Sequence, residues 1–220
     1  MDCNVYNFLP MIISHRHKFI YFAVPKTATH TIREALRQHL GPDDWEQQVL
    51  FGKYYLPIPE IAAIEHGHIT VQEIRPHLSP EVWSSYFKFG FVRNPFDRFV
   101  STCFFLNRGN PNFAGSAVAF MKDRLPRPRF RQRVLARPQY QQLIDTNDEI
   151  ALDFTGRYED LQESFNHICE RIGIPCTELG RKNASAHSKY VDYYDSDLRQ
   201  QVAEFYAEDL RLFSYDFPAA

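Results

Sequence analysis

Three short stretches of the chain hold the residues best suited to chemistry. Lys26-Thr27-Ala28-Thr29-His30-Thr31 sets one lysine among small and hydroxylated residues. Arg93-Asn94-Pro95 carries an arginine, with Ser101 eight positions later. His66-Gly67-His68 places two imidazoles two residues apart. Ammonium, guanidinium and hydroxyl groups bind anions. Histidine, with an ordinary pKa of about 6.5, suits a general base. The i, i+2 spacing puts both rings on one side of an extended segment. That pair would also suit a metal, but no third ligand stands nearby, so no metal is expected. Each stretch has a plainer reading as well: a strand–helix turn with an ordinary N-cap threonine, a surface arginine pairing with Asp97, and an incidental pair of histidines.

The elements around these stretches decide whether they meet. Residues 19–24 form a short apolar run with β-branched and aromatic members, which predicts a buried strand. Pro25 stops it, and Ile32, Ala35 and Leu36 recur at helical spacing, so a helix follows to about residue 40. A helix N-terminus after a strand and tight loop presents unpartnered N–H groups and partial positive charge, which is an anion site when a lysine joins it. The glycine-rich G-x-x-x-x-G-K-[ST] pattern is absent, which disfavours an ATP or GTP site of that type. Residues 86–92 predict a second buried strand, 95–106 a helix with an apolar stripe from Phe96 to Phe104, and 150–154 a third strand. Residues 112–125, 159–172 and 196–213 predict further helices. Thr70 and Glu73 fit a capping box, and Ser79-Pro80 starts another short helix. Residues 1–16 read as an irregular lead-in, and Pro57 and Pro59 suggest an extended piece.

Strands alternating with helices predict one α/β domain over residues 1–220, with a central, mainly parallel sheet flanked by helices. Such sheets bind ligands at the carboxyl ends of their strands. Lys26 and Arg93 each follow a strand, so neighbouring strands would aim both cations into one crevice.

The net charge of −2 gives no overall pull toward nucleic acid or anionic membranes, so any polyanion site must be local. One local excess exists: Lys122, Arg124, Arg127, Arg129, Arg131, Arg133 and Arg137 against Asp123 alone. The four cysteines show no zinc-like spacing, and Cys103 and Cys169 fall on apolar helix faces, as reduced buried thiols do. No stretch approaches the roughly 18 apolar residues of a membrane span, and no signal peptide is evident. The expectation is a soluble, cytoplasmic protein; a Golgi-lumen setting applies only to a chain trimmed of an anchor.

Taken together, the three stretches resemble the carbohydrate sulfotransferases of the Golgi type, above all the uronosyl 2-O-sulfotransferases acting on heparan and dermatan sulfate. VPKTATHT at 24–31 looks like the family's loop for the 5′-phosphosulfate of the donor, the H-G-H segment at 66–68 like its catalytic histidine region, and VRNPFDRFVS at 92–101 like its 3′-phosphate motif. GRYEDL at 156–161 and the closing helix after His187 are similar to sulfotransferases more broadly. His30 stands where the family usually has serine or threonine, and Asn94 replaces a common aspartate. The resemblance implies a P-loop-like sulfotransferase fold and 3′-phosphoadenosine 5′-phosphosulfate (PAPS) as donor, with no metal. It implies Lys26 at the bridging oxygen, Thr27, Ala28, Thr29, His30 and Thr31 around the 5′-phosphate, and Arg93 with Ser101 at the 3′-phosphate. His68 would be the base and His66 its assistant. Tyr158 and the 181–189 loop, with Lys189, would close over the nucleotide.

Sulfuryl transfer is in-line and close to phosphoryl transfer, so positioning and electrostatic stabilisation are its main tools. The acceptor in this reading is a carbohydrate hydroxyl, with Arg124, Arg127, Arg129, Arg131 and Arg133 as the surface for an anionic, uronic-acid-containing glycan. Rival readings are a small-alcohol or lipid sulfotransferase, a non-catalytic nucleotide- or glycan-binding module, and a kinase-like phosphotransferase, which would need a glycine-rich loop and magnesium ligands.

Overall fold

The computed structural model describes residues 11–46, 57–64, 66–180 and 189–218. Along the chain the strands are β1 (Ile12–Ser14), β2 (Phe19–Phe22), β3 (Trp45–Glu46), β4 (Phe87–Val92) and β5 (Phe154–Arg157). The helices are α1 (Thr29–Arg37), α2 (Pro59–Ala62), α3 (Val71–Ile74), α4 (Pro80–Ser85), α5 (Pro95–Leu106), α6 (Ala117–Arg124), α7 (Pro128–Arg131), α8 (Tyr140–Leu143), α9 (Leu161–Ile172), α10 (Ser196–Phe205) and α11 (Ala207–Phe213).

The strands form one sheet in the order β3-β1-β2-β4-β5. β2, β4 and β5 run parallel, with Phe22 opposite Gly90 and Val92 opposite Arg157. The α/β expectation is met and the three strands that carry the site are parallel, but the whole sheet is mixed. β1 pairs antiparallel with β2 and β3 with β1. Residues 12–14 are therefore a strand, not irregular lead-in. Their three-residue run is too short to show a period, and its signal lies in the apolar partner strand beyond the turn.

Alternation along β2 explains the two-sided burial. Ile20, Phe22 and Val24 face one core with Val71, Ile74, Leu78 and Leu143. Phe19, Tyr21 and Ala23 face the other, with Ile32 and Leu36 of α1 and Phe165, Ile168 and Cys169 of α9. A third cluster joins α5, α6 and α10 through Phe99, Cys103, Met121, Leu198 and Val202. Each such side chain removed from water contributes roughly 1.5–3 kcal/mol.

Several boundaries differ from the sequence reading. The third strand is 154–157 rather than 150–154, because Phe154 pairs with Phe89, while Ile150 only bridges back to Ile144. Pro59 opens a helical turn rather than an extended piece, at the first position proline favours. The last helix is broken at Tyr206, whose φ of −106° and ψ of 22° leave the helical region and whose hydroxyl donates to the Ala136 carbonyl at 2.7 Å.

Candidate active site

Lys26 sits in the turn between β2 and α1, and its shape is set by the backbone. Lys26 and Ala28 both adopt left-handed conformations, with φ of 69° and 63°. Ala28 is the N-cap of α1, and no side chain caps the helix. The ordinary N-cap threonine is therefore not what forms: Thr29 and Thr31 lie within the first turn and are buried. Thr27 turns inward, its hydroxyl donating to the Val24 carbonyl at 2.8 Å, so only its backbone faces outward chemistry. The first amides of α1 consequently have neither an intrahelical acceptor nor a capping side chain.

Arg93 leaves the end of β4 and reaches this turn. Its Nη1 donates to the Lys26 carbonyl at 3.2 Å, and its Nε and Nη2 form a forked pair with Asp97, each contact 2.8 Å. The pairing with Asp97 is real, but Arg93 is 5% exposed rather than a surface residue. Among the described residues three of its five N–H groups are used, which leaves two for a ligand. Tyr158, just past the end of β5, sets its ring against the guanidinium, with Arg93 Cζ 4.0 Å from the ring centroid. Ser101 is buried two turns along α5 from Pro95.

The Lys26 ammonium packs 4.2 Å from the Phe105 ring centroid, and Arg108 packs on the same ring at 4.5 Å. Among the described residues no carboxylate pairs with Lys26. Burial, then the charges of Arg93, Arg108 and Arg98, pushes its pKa down to about 8. This is a locally positive site on a chain of slightly negative net charge.

His68 enters from the segment before α3. There the expected capping box forms: Thr70 Oγ1 accepts from the Glu73 amide at 3.1 Å, and Glu73 accepts from the Thr70 amide at 2.7 Å. His68 is 6% exposed, and its Nδ1 lies 2.6 Å from the Ala23 carbonyl. A carbonyl only accepts, so Nδ1 carries the proton and Nε2 has its lone pair. Burial pushes the pKa of His68 down to about 4, opposed by the bond to Ala23 and aided by His66, Arg98 and His30. His66 is half-buried, its ring centroid 6.3 Å from that of His68, and burial lowers its pKa too. His30, on the first turn of α1, is likewise held down by burial and by Arg33.

Lys26, Thr27, Ala28, Thr29, His30, Thr31, Arg93, Tyr158 and His68 thus gather at the carboxyl ends of β2, β4 and β5, His66 flanks them, and Ser101 lies buried on α5. Among the described residues Lys189 makes no side-chain contact with them: it is exposed, at the start of the single turn Tyr190–Tyr193. Arg181, Lys182 and His187 lie outside the described residues. Among the described residues no cluster of three His, Cys, Asp or Glu is placed for a metal ion, and no helix is long and apolar enough to cross a membrane.

A network missed from the sequence braces the site. The Gln139 amide holds both backbone groups of Arg93, accepting from its N–H and donating to its carbonyl at 2.9 Å each. Buried Asp209 accepts from the Gln139 backbone N–H at 2.8 Å and from its side-chain Nε2 at 3.4 Å. Gln142 donates to the carbonyls of Ala23 and Ile69 at 3.1 Å, tying His68's neighbours together. Glu159 accepts from the Asn94 amide at 2.7 Å. Glutamines following an arginine-rich stretch give no sequence signal for such roles.

The arginine-rich stretch makes a groove of about 780 Å³ lined by Leu106, Phe120, Phe130 and the guanidinium-bearing Arg124, Arg127, Arg129 and Arg133. Arg124 and Arg127 pair with Asp123. Arg131 does not line it: it lies over Phe205 and donates to the Leu125 carbonyl. Lys122 is also taken up elsewhere, by Asp195 and Asp197.

Residues 9–216 match the model of the family Sulfotransfer_2, described as a sulfotransferase family. A protein of Archaeoglobus fulgidus described as uncharacterized is 31% identical over 105 residues, 48% of this chain and 82% of that protein. A crystal structure described as a sulfotransferase from Alicyclobacillus acidocaldarius covers 90% of this chain and 96% of its own, at 17% identity and a TM-score of 0.45.

Proposed function

Since the chain belongs to the sulfotransferase family, we propose that it moves a sulfuryl group from PAPS to a hydroxyl of an anionic carbohydrate, with His68 as general base. The observation that carries this reading is the meeting of two cations from separate strands, Arg93 Nη1 on the Lys26 carbonyl. The residues present fit such a donor. Lys26 is a half-buried charge with no carboxylate partner among the described residues, and the first turn of α1 is uncapped. Both are stabilised by an anion.

When bound, PAPS supplies an activated sulfuryl group on a phosphate leaving group. Lys26 would offset the negative charge that grows on the leaving oxygen, and the amides of 27–31 would hold the 5′-phosphate. Arg93, with Ser101, would hold the 3′-phosphate, and Tyr158 would support that guanidinium with its ring. His68 Nε2 would take the proton from the acceptor hydroxyl as the new oxygen–sulfur bond forms. His66 would orient the acceptor. Anionic charge at the site favours the imidazolium and raises His68 from its depressed value, which makes it a better base when donor is present.

The Arg124–Arg133 groove is the acceptor surface in this reading, since guanidinium forks match carboxylates and sulfates. Exposed Arg129 and Arg133 have no ion pair among the described residues, so they are ready for one.

The donor reading is tested by thermal shift with 3′,5′-bisphosphoadenosine (PAP) and AMP. The wild type should prefer PAP, and Arg93→Ala should erase the preference; an unchanged preference refutes the 3′-phosphate role. The acceptor reading is tested with Arg129→Ser/Arg133→Ser. Affinity for uronic-acid polymers should fall about tenfold and lose part of its salt dependence, whereas unaltered affinity refutes the groove.

A further inference from the structure

Arg98 is the largest fully buried side chain, at 1% exposure, and no carboxylate contacts it among the described residues. Its Nε and Nη2 bond to carbonyls, and the Tyr206 ring lies 5.9 Å from its Cζ. Nε donates to Pro25 O at 3.1 Å, and Nη2 donates to Arg137 O at 2.9 Å and to Leu135 O at 3.4 Å. Thr102, one turn on, also donates to Leu135 O. Nη1 is buried and has no hydrogen-bond partner among the described residues. With Pro25, His68, Gln139 and Gln142, Arg98 lines a cavity of about 40 Å³, roughly the room of one water.

Placed beside Arg93, this has a clear geometric meaning. The two arginines of α5 and its lead-in hold two successive carbonyls of the donor loop: Arg98 takes Pro25 O and Arg93 takes Lys26 O. Lys26, between those bonds, is left-handed. Carbonyls drawn back toward α5 leave the following amides to face the other way. A buried cation is costly; the buried Asp209 carboxylate and Tyr206 offset part of that cost for Arg98 through space, and the fork to carbonyls joins the loop to the 135–137 segment.

We propose that Arg98 is a positioning residue for the transfer: its fork fixes the Pro25–Lys26 peptide and moors the 135–137 segment against it, and its charge faces His68. The proposal rests on the sulfotransferase reading but goes beyond it, because Arg98 is given no contact with donor or acceptor. The charged and titratable neighbours acting on His68 are His66, Arg98 and His30. Loss of the Arg98 charge therefore favours the imidazolium.

The test uses Arg98→Lys and Arg98→Met in the full chain, reading PAP affinity by calorimetry and the pH profile of kcat/KM for uncoupled PAPS hydrolysis. Lysine keeps the charge but cannot bond Pro25 and the 135–137 carbonyls together, so PAP affinity should drop about ten- to hundredfold, the scale of one charge-assisted hydrogen bond. Its acidic limb should stay at the wild-type pH. Methionine should show the same affinity loss and an acidic limb moved to higher pH. If Arg98→Met does not fold, the lysine variant decides. PAP affinity within about threefold of wild type in folded Arg98→Lys, or an acidic limb that the two variants share, overturns the proposal. A wild type that ignores PAP instead overturns the donor reading on which it stands.

Discussion

Lys26 makes the electrostatics of the site measurable as protons. Its pKa in the free protein is about 8, against 10.5 for an ordinary lysine, because burial and three arginines oppose its charge. An incoming polyanion has the opposite effect and restores the ammonium. Binding must then draw a proton from solvent wherever the free amine is deprotonated. At pH 8.5 about a quarter of free Lys26 is protonated, so binding that completes its protonation takes up about 0.8 proton; at pH 7 the figure is about 0.1. Calorimetry with PAP in buffers of different ionisation enthalpy gives this number directly. Lys26→Met removes the amine at similar length and subtracts any proton uptake by His30, His66 and His68. The difference between wild type and Lys26→Met should grow from near zero at pH 7 to most of one proton at pH 8.5. Affinity of the wild type should also weaken above pH 8, approaching tenfold per pH unit. A difference that does not grow with pH would refute the claim that this lysine faces the bound phosphates.

Two further outcomes test the base and the packing behind it. His68→Ala should abolish sulfuryl transfer in a donor-hydrolysis or acceptor assay while leaving PAP affinity within about twofold; joint loss of both would mark a structural histidine. Gly156→Ala should destabilise the fold by about 1–3 kcal/mol in urea unfolding, since its Cβ would sit 2.7 and 2.8 Å from two ring atoms of Phe91. A loss below about 0.5 kcal/mol would mean that the ring moves aside at little cost.

The site was more legible in the sequence than the sheet that carries it. Pro25 closing an apolar run and Pro95 opening a striped helix mark the two strand–helix corners, because proline fixes backbone angles whatever surrounds it. The Thr70 and Glu73 capping box is likewise a local contract between neighbours, and it forms as read. β1 and β3 are different. Their strand character comes from pairing with β2 and with each other, which no three-residue or two-residue window contains. Arg98 escaped notice for a related reason: an arginine in a helix is usually solvated, and only tertiary contacts show that this one faces Pro25. Gln139 and Gln142 act through backbone groups more than 40 residues away. Arg131 sits within a basic run, yet α7 sets it on Phe205 and not in the groove its neighbours line, a distinction that composition does not draw.

The turn between β2 and α1 has no glycine, yet Lys26 and Ala28 take angles that glycine reaches freely. Each L-residue there pays about 1 kcal/mol. A glycine-rich cradle wanders among many shapes and must be gathered by its ligand. This one resembles a latch held under tension, ready-shaped while its clasps hold and inclined to spring open into the extended region once they fail. Such a latch trades adaptability for readiness: it suits a single anionic shape and gives little tolerance to damage at the residues that pin it, even those that never touch the cargo.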